Sequence, residues 1–214
     1  MEFYSLVYKE MAYYKKNIKG AIFNCIVGAV FATVLFAISN GVTDDAIRML
    51  LINVGTYFMP LSVIMGNTSS SIMFEEFDNM TDFLFSNDMR KSNWLLVKIF
   101  FSVIYGMIIS LIPYLLNSVL LNNTVDNFLS IQYNVISLGV IIALVAIFIR
   151  IQPFAMLTIL FQFVGWIIII CLINIINSRY SYIICCSSIV ILYLCNILLL
   201  KKRETRISIE VSEH

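Results

Sequence analysis

Six stretches of the chain, residues 21–39, 49–66, 95–121, 133–149, 153–176 and 180–200, are apolar over lengths near what a helix needs to cross a bilayer. That requirement is about 20 residues for a helix through the hydrocarbon core. Inside the core every backbone N–H and C=O must be satisfied by the protein itself, so only helices and closed barrels span it. The six runs lack the alternation of period two that barrel strands require. They predict an all-α membrane protein with six transmembrane helices. Composition agrees, because 60% of the 214 residues are hydrophobic and only 13% are charged, far from the balance of a soluble domain. No linker or internal repeat divides the chain, so residues 1–214 read as one transmembrane domain.

Lys and Arg decide the orientation. With six crossings both termini share a side with the 67–94 loop and the turn at Arg150. That side carries twelve basic residues (Lys9, Lys15, Lys16, Lys19, Arg90, Lys91, Lys98, Arg150, Lys201, Lys202, Arg203 and Arg206), against Arg48 and Arg179 on the other. The asymmetry predicts a multi-pass protein of the cell membrane with both termini in the cytoplasm. The net charge of +1 and the scattered basic residues point away from nucleic acid.

Residues 1–19 place Phe3, Val7, Met11, Tyr14 and Ile18 on one helical face, the pattern of an amphipathic helix lying at the headgroup level. The first apolar run is too long for a signal-peptide core and is expected to be retained. Ala21, Cys25, Ala29, Thr33 and Ala37 form a stripe of small residues on span one, suited to packing within the bundle or against another subunit. The five cysteines show no metal-ligand or disulfide spacing and read as small packing residues. Pro60 and Pro113 fall inside spans two and three, where they can kink a helix.

The segment from Ser69 to Lys98 is the one long charged stretch, holding eight of the chain's 27 charged residues. Met73, Phe77, Met80 and Leu84 recur at steps of three and four, while Glu76, Asp78 and Asp82 fall away from that stripe. This predicts an amphipathic cytoplasmic helix within 72–91. Asn87-Asp88 is expected to break it, Ser92 to cap the following helix, Trp94 to sit at the membrane interface and Lys98 to snorkel toward water.

Here the chain resembles the type-2 permease family of ATP-binding-cassette (ABC) transporters. Their first cytoplasmic loop carries an acidic residue, Gly-Thr, a second acid, Leu-Leu, Pro, a basic residue and a closing Lys. Glu75 and Asp82 match the acids, Leu84-Phe85 the Leu pair, Lys91 the basic residue and Lys98 the closing Lys, without gaps. Asn79-Met80 stands in place of Gly-Thr and Asp88 in place of Pro. The resemblance implies that 67–94 is a coupling loop, with Met73, Glu75, Phe77, Met80, Asp82, Leu84 and Lys91 contacting a separate cytoplasmic ATPase subunit. It also implies a second permease copy or paralogue as partner, and a transport path lined by spans two and five. Two polar pairs one helical turn apart lie on those spans, Asn53 with Tyr57 and Gln162 with Trp166, and are the candidate path residues.

The chemistry missing from the sequence narrows the function. No span interior holds an Asp, Glu, Arg or His, which argues against an ion-coupled carrier. His214 is the only histidine, so no His-based metal site or Ser-His-Asp triad can form. Glu75-Glu76 lacks the later Arg and His residues of prenyl-protein proteases. No GxxxxGK[ST] loop is present, so the chain is expected to be no enzyme and to hold no cofactor, with ATP and magnesium bound by the partner subunit. The implied substrate is amphipathic or apolar: a peptide (antimicrobial peptides included), a lipid or a drug. The alternative is a non-transporting immunity or assembly factor that binds a partner through the same loop.

Overall fold

The computed structural model describes residues 2–77, 90–120, 128–151, 167–169, 171–173 and 181–212, which are helical nearly throughout and contain no strand. The long helices are α1 (Glu2–Lys16), α2 (Ile18–Gly41), α3 (Asp45–Phe77), α4 (Lys91–Leu120), α5 (Phe128–Ile151) and α6 (Ser181–Ser212). Five of them, α2 to α6, are long and apolar enough to cross a membrane. The chain is therefore a multi-pass helical membrane protein by length and composition. Of the expected span 153–176, only 167–169 and 171–173 are described; they are helical, and Ile169 and Ile173 are fully buried in the core.

Local chemistry sets the helix ends. Asp44 caps α3, its Oδ1 accepting from the Ala46 and Ile47 N–H groups at 2.9 and 3.2 Å. Ser92 does not cap α4 as expected, because the helix starts one residue earlier. The Arg90 carbonyl accepts the first bonds, from the Asn93 N–H at 2.9 Å and the Trp94 N–H at 3.3 Å. Pro60 and Pro113 lie inside α3 and α4 without ending them. Hydroxyls within the spans turn back on their own helices, as when Thr56 donates to the Ile52 carbonyl at 2.8 Å and Ser110 to Met107 at 2.7 Å. A hydroxyl buried within a span has no water to bond, so the preceding turn is its nearest acceptor.

Consecutive helices from α2 to α5 run antiparallel. On α2 and α3, Gly28 lies against Met59 and Gly55 against Phe36. Along α3 and α4, Asn117 Nδ2 donates to Thr56 Oγ1 at 3.4 Å near one end, and Gly106 meets Ile64 further along. Gln132 on α5 donates to Ser110 on α4 at 2.8 Å. α6 breaks the alternation. Tyr182 packs on Tyr133 with ring centroids 5.7 Å apart, and Asn196 Nδ2 donates to the Leu144 carbonyl at 3.0 Å. Both registers ascend together, so α6 is parallel to α5 and begins at the end of the bundle where α5 begins.

The packed face of α2 is Gly28, Ala32, Phe36 and Ser39. It lies beside the small-residue stripe rather than on it: Cys25 and Ala29 are half-buried at its margin, and Thr33 and Ala37 point outward. The rest of α2 and most of α6 present apolar side chains outward, with Phe23 at 66% exposure and Ile183 at 69%. Such faces suit a lipid environment and would be unfavourable in water.

α3 does not stop at residue 66. It continues unbroken to Phe77, so the first third of the expected 67–94 loop belongs to the span helix. No breaker lies between Asn67 and Phe77, and Thr68, Ser71 and Glu75 find partners inside the bundle.

Candidate functional site

The polar residues of α3 between Thr68 and Glu75 meet α1 and the first turns of α4 in a buried ionic cluster. Four charged residues form its centre, Lys9 and Glu10 on α1, Glu75 on α3 and Lys98 on α4. Glu10 and Lys98 are each 2% exposed and Glu75 3%. Lys98 Nζ donates to Glu10 Oε1 and to Ser71 Oγ, and lies 2.8 Å from Glu75 Oε1. Lys9 Nζ approaches the same Glu75 oxygen at 2.8 Å; its side chain keeps 29% exposure. Ser71 Oγ donates to Glu10 at 3.0 Å, and Trp94 Nε1 donates to Glu75 Oε2 at 2.9 Å. The Lys98 ammonium also stands 5.7 Å from the Trp94 ring centroid, within cation–π range. One turn deeper, the hydroxyls of Tyr14, Ser102 and Thr68 form a chain with steps of 3.1 and 2.8 Å. Burial holds the Tyr14 hydroxyl above the ordinary phenol range, so it is a neutral hydrogen-bonding group.

Two positive and two negative charges balance. That balance decides whether the cluster can exist, since burying an isolated ion costs several kcal/mol even after relaxation. Each carboxylate has a cation and at least one further donor, the arrangement under which Coulombic attraction can offset desolvation.

The cluster corrects two expectations. Lys98 does not snorkel to water: carboxylates from two other helices reach it where it stands. Trp94 is not at an open interface but 1% exposed, its indole N–H spent on Glu75. Only part of the expected apolar stripe of α1 is covered: Val7 and Tyr14 are half-buried and Met11 is exposed. Leu6 and Glu10 face the bundle, with Tyr14 partly covered beside them, while Tyr4, Tyr8 and Met11 point outward at 80%, 77% and 57% exposure. Averaged hydropathy favours an apolar inward face. Here a glutamate is drawn inward by Lys98 instead.

The other candidate residues scatter. Glu75 lies inside the ionic cluster, and Met73, 36% exposed, lies on the outer side of the same helix end. Phe77 ends α3 and Lys91 opens α4, so the two bracket the loop. Met80, Asp82, Leu84, Gln162 and Trp166 lie outside the described residues. Tyr57 is buried and its hydroxyl accepts from Asn134 Nδ2 of α5 at 3.0 Å, a helix-to-helix bond; Asn53 is half-buried one turn away. Lys9, Glu10 and Ser71 are the members that sequence reasoning misses. The signal available for them is a glutamate and a lysine, each buried in an otherwise apolar helical setting, with opposite signs.

Among the described residues no group of His, Cys, Asp and Glu is placed to hold a metal ion, and the cysteines are free thiols. Searches against protein-family models, curated proteins and solved structures return no match to this chain.

Proposed function

We propose that this chain is the membrane subunit of an ABC exporter, working as a homodimer or beside a second permease, and driven by a separate cytoplasmic ATPase. The observation that carries the reading is the clamp beneath the 78–89 segment. Glu75, two residues before the end of α3, is bonded to Trp94 and Lys98 in the first two turns of α4. A loop that springs from two helices tied at its base transmits a push to both together. A loop on untied helices would absorb the push locally. That is the mechanical requirement on an element that converts closure of an ATPase pair into movement of membrane spans. The exposed Met73 and Phe74 beside the clamp add apolar surface for a partner.

Six spans with cytoplasmic termini fit this reading. The parallel run of α5 and α6 supports the count, since the chain between them must return to the end where α5 begins. Cysteine labelling in a cysteine-free background tests the orientation. Asp126→Cys is expected to react from outside the cell, Ser5→Cys and Ser212→Cys only from within; labelling of Asp126→Cys only from within overturns it.

Apolar anchors at the loop should dominate the contact with the ATPase. Burying one such side chain is worth roughly 1.5–3 kcal/mol, whereas an exposed ion pair gives about 0–1 kcal/mol. Phe77→Asp is therefore expected to abolish co-purification of the ATPase while membrane insertion is retained, and Lys91→Ala to act more mildly. An intact complex with full substrate-dependent ATP turnover in Phe77→Asp would remove the coupling role and favour a non-transporting partner-binding protein. The substrate class that fits a path without fixed charge is an amphipathic or apolar molecule, a peptide, lipid or drug.

A further inference from the structure

We infer that the junction of α1 and α2 binds an anionic phospholipid, its headgroup held by lysines and its acyl chains laid on the outward face of α2. The inference rests on the chain being a membrane protein and not on the permease reading. Lys15 and Lys16 close α1, Asn17 separates the two helices, and Lys19 stands in the first turn of α2. All three lysines are exposed. Three positive charges therefore face outward within residues 15–19, and α2 has no acidic residue in its first turn to answer them.

The protein does not neutralise this charge itself. At this end of the bundle the carboxylates among the described side chains are Glu10 and Glu75, which are buried. Their ion pairs go to Lys9 and Lys98, and none reaches Lys15, Lys16 or Lys19. The ionic cluster sums to zero, so it exerts little pull on the exposed lysines beside it.

What adjoins the lysines decides the partner. Ile22, Phe23, Ile26 and Val30 follow Lys19 at helical spacing and share its face of α2. These four are 55 to 66% exposed, so a cation stands at the head of an apolar stripe that is unfavourable in water. A soluble acidic protein could reach the lysines but would leave the stripe bare. A zwitterionic lipid would cover the stripe but bring no net charge to the lysines. A phospholipid with an anionic headgroup answers both. Gly20, with nothing within 4 Å of its would-be Cβ, keeps the surface beside Lys19 open.

The test reads the lipid beside Gly20. Gly20→Cys is placed in the full-length chain with its native cysteines replaced, labelled with bimane and reconstituted in phosphatidylcholine vesicles. A minor share of brominated phosphatidylglycerol or of brominated phosphatidylcholine is included, and the two are compared as quenchers. Phosphatidylglycerol is expected to be enriched at the label at least about tenfold over its bulk share, since each lysine contributes roughly fivefold. Lys15→Gln, Lys16→Gln and Lys19→Gln combined should bring the enrichment close to one. Lys→Arg at the same three positions should preserve it, which separates charge from a structural role. The label at Ile38→Cys, exposed near the far end of α2, should show no preference. Soluble glycerol 3-phosphate should not displace the lipid. Equal quenching by the two lipids at Gly20→Cys overturns the inference, as does an enrichment that the Lys→Gln chain keeps or the Lys→Arg chain loses. An equal preference at Ile38→Cys overturns it too, because the enrichment would then belong to the whole surface. Displacement by glycerol 3-phosphate would mean a site for a free phosphate and overturn the lipid.

Discussion

Replacing Lys98 by Met is expected to destabilise the folded bundle by roughly 3–5 kcal/mol, more than removing any exposed charge on the chain. The lysine is 2% exposed and serves Glu10, Glu75 and Ser71 at once. Its loss leaves two buried carboxylates facing Lys9 alone, a net negative charge in a water-poor site. Met fills the space of the aliphatic stem, so the missing charge and not a cavity accounts for the effect. Lys9→Met should cost less, because Lys9 reaches Glu75 alone and that carboxylate keeps Lys98 at 2.8 Å. Adding Glu10→Gln to Lys98→Met restores the balance, leaving Lys9 opposite Glu75, and should recover more than half of the loss. Unfolding monitored by helicity across an SDS titration gives the four corners of this cycle. A Lys98→Met loss below about 1 kcal/mol, or strict additivity of the pair, would mean that the charges are solvated rather than buried.

Five of the six expected spans were legible because length and apolarity decide them, and no tertiary contact can make a run such as 133–149 anything but buried or lipid-facing. The helical character of α1 was legible for the same kind of reason. Its orientation was not. Which side of α1 faces the bundle depends on Glu10 finding Lys98, 88 residues away, and periodicity within one helix carries no record of a distant partner. The end of span two was misplaced for a related reason. A window average falls at Asn67 to Ser71, where polar residues accumulate, yet Thr68 and Ser71 are satisfied by Ser102 and Glu10 and the helix continues. The stripe of small residues on α2 was visible, but the neighbouring Gly28–Ala32 face does the packing. Small side chains permit close approach wherever they fall, and the knob that uses the space, Met59, sits on another helix.

The same logic makes a single glycine on α4 one of the most sensitive positions in the protein. A Cβ on Gly106 would stand 2.4 Å from both Cγ1 and Cδ1 of Ile64, and one on Gly139 of α5 would stand 2.7 Å from the same Cδ1. Ile64 is fully buried and held from both sides, so it cannot swing away from one glycine without striking the other. Gly106→Ala is therefore expected to destabilise by about 1–3 kcal/mol, although alanine is the better helix former. Gly66, on α3 with nothing within 4 Å of its would-be Cβ, supplies the contrast. Gly66→Ala should be neutral or stabilising by up to about 1 kcal/mol. Ile64→Ala alone opens a cavity and should cost about 2–5 kcal/mol. Combined with Gly106→Ala, the new methyl group enters the space that Ile64 vacates, so the pair should cost at least about 1 kcal/mol less than the sum of the singles. Equal effects of Gly106→Ala and Gly66→Ala in the same SDS titration would show that α3, α4 and α5 do not converge on Ile64.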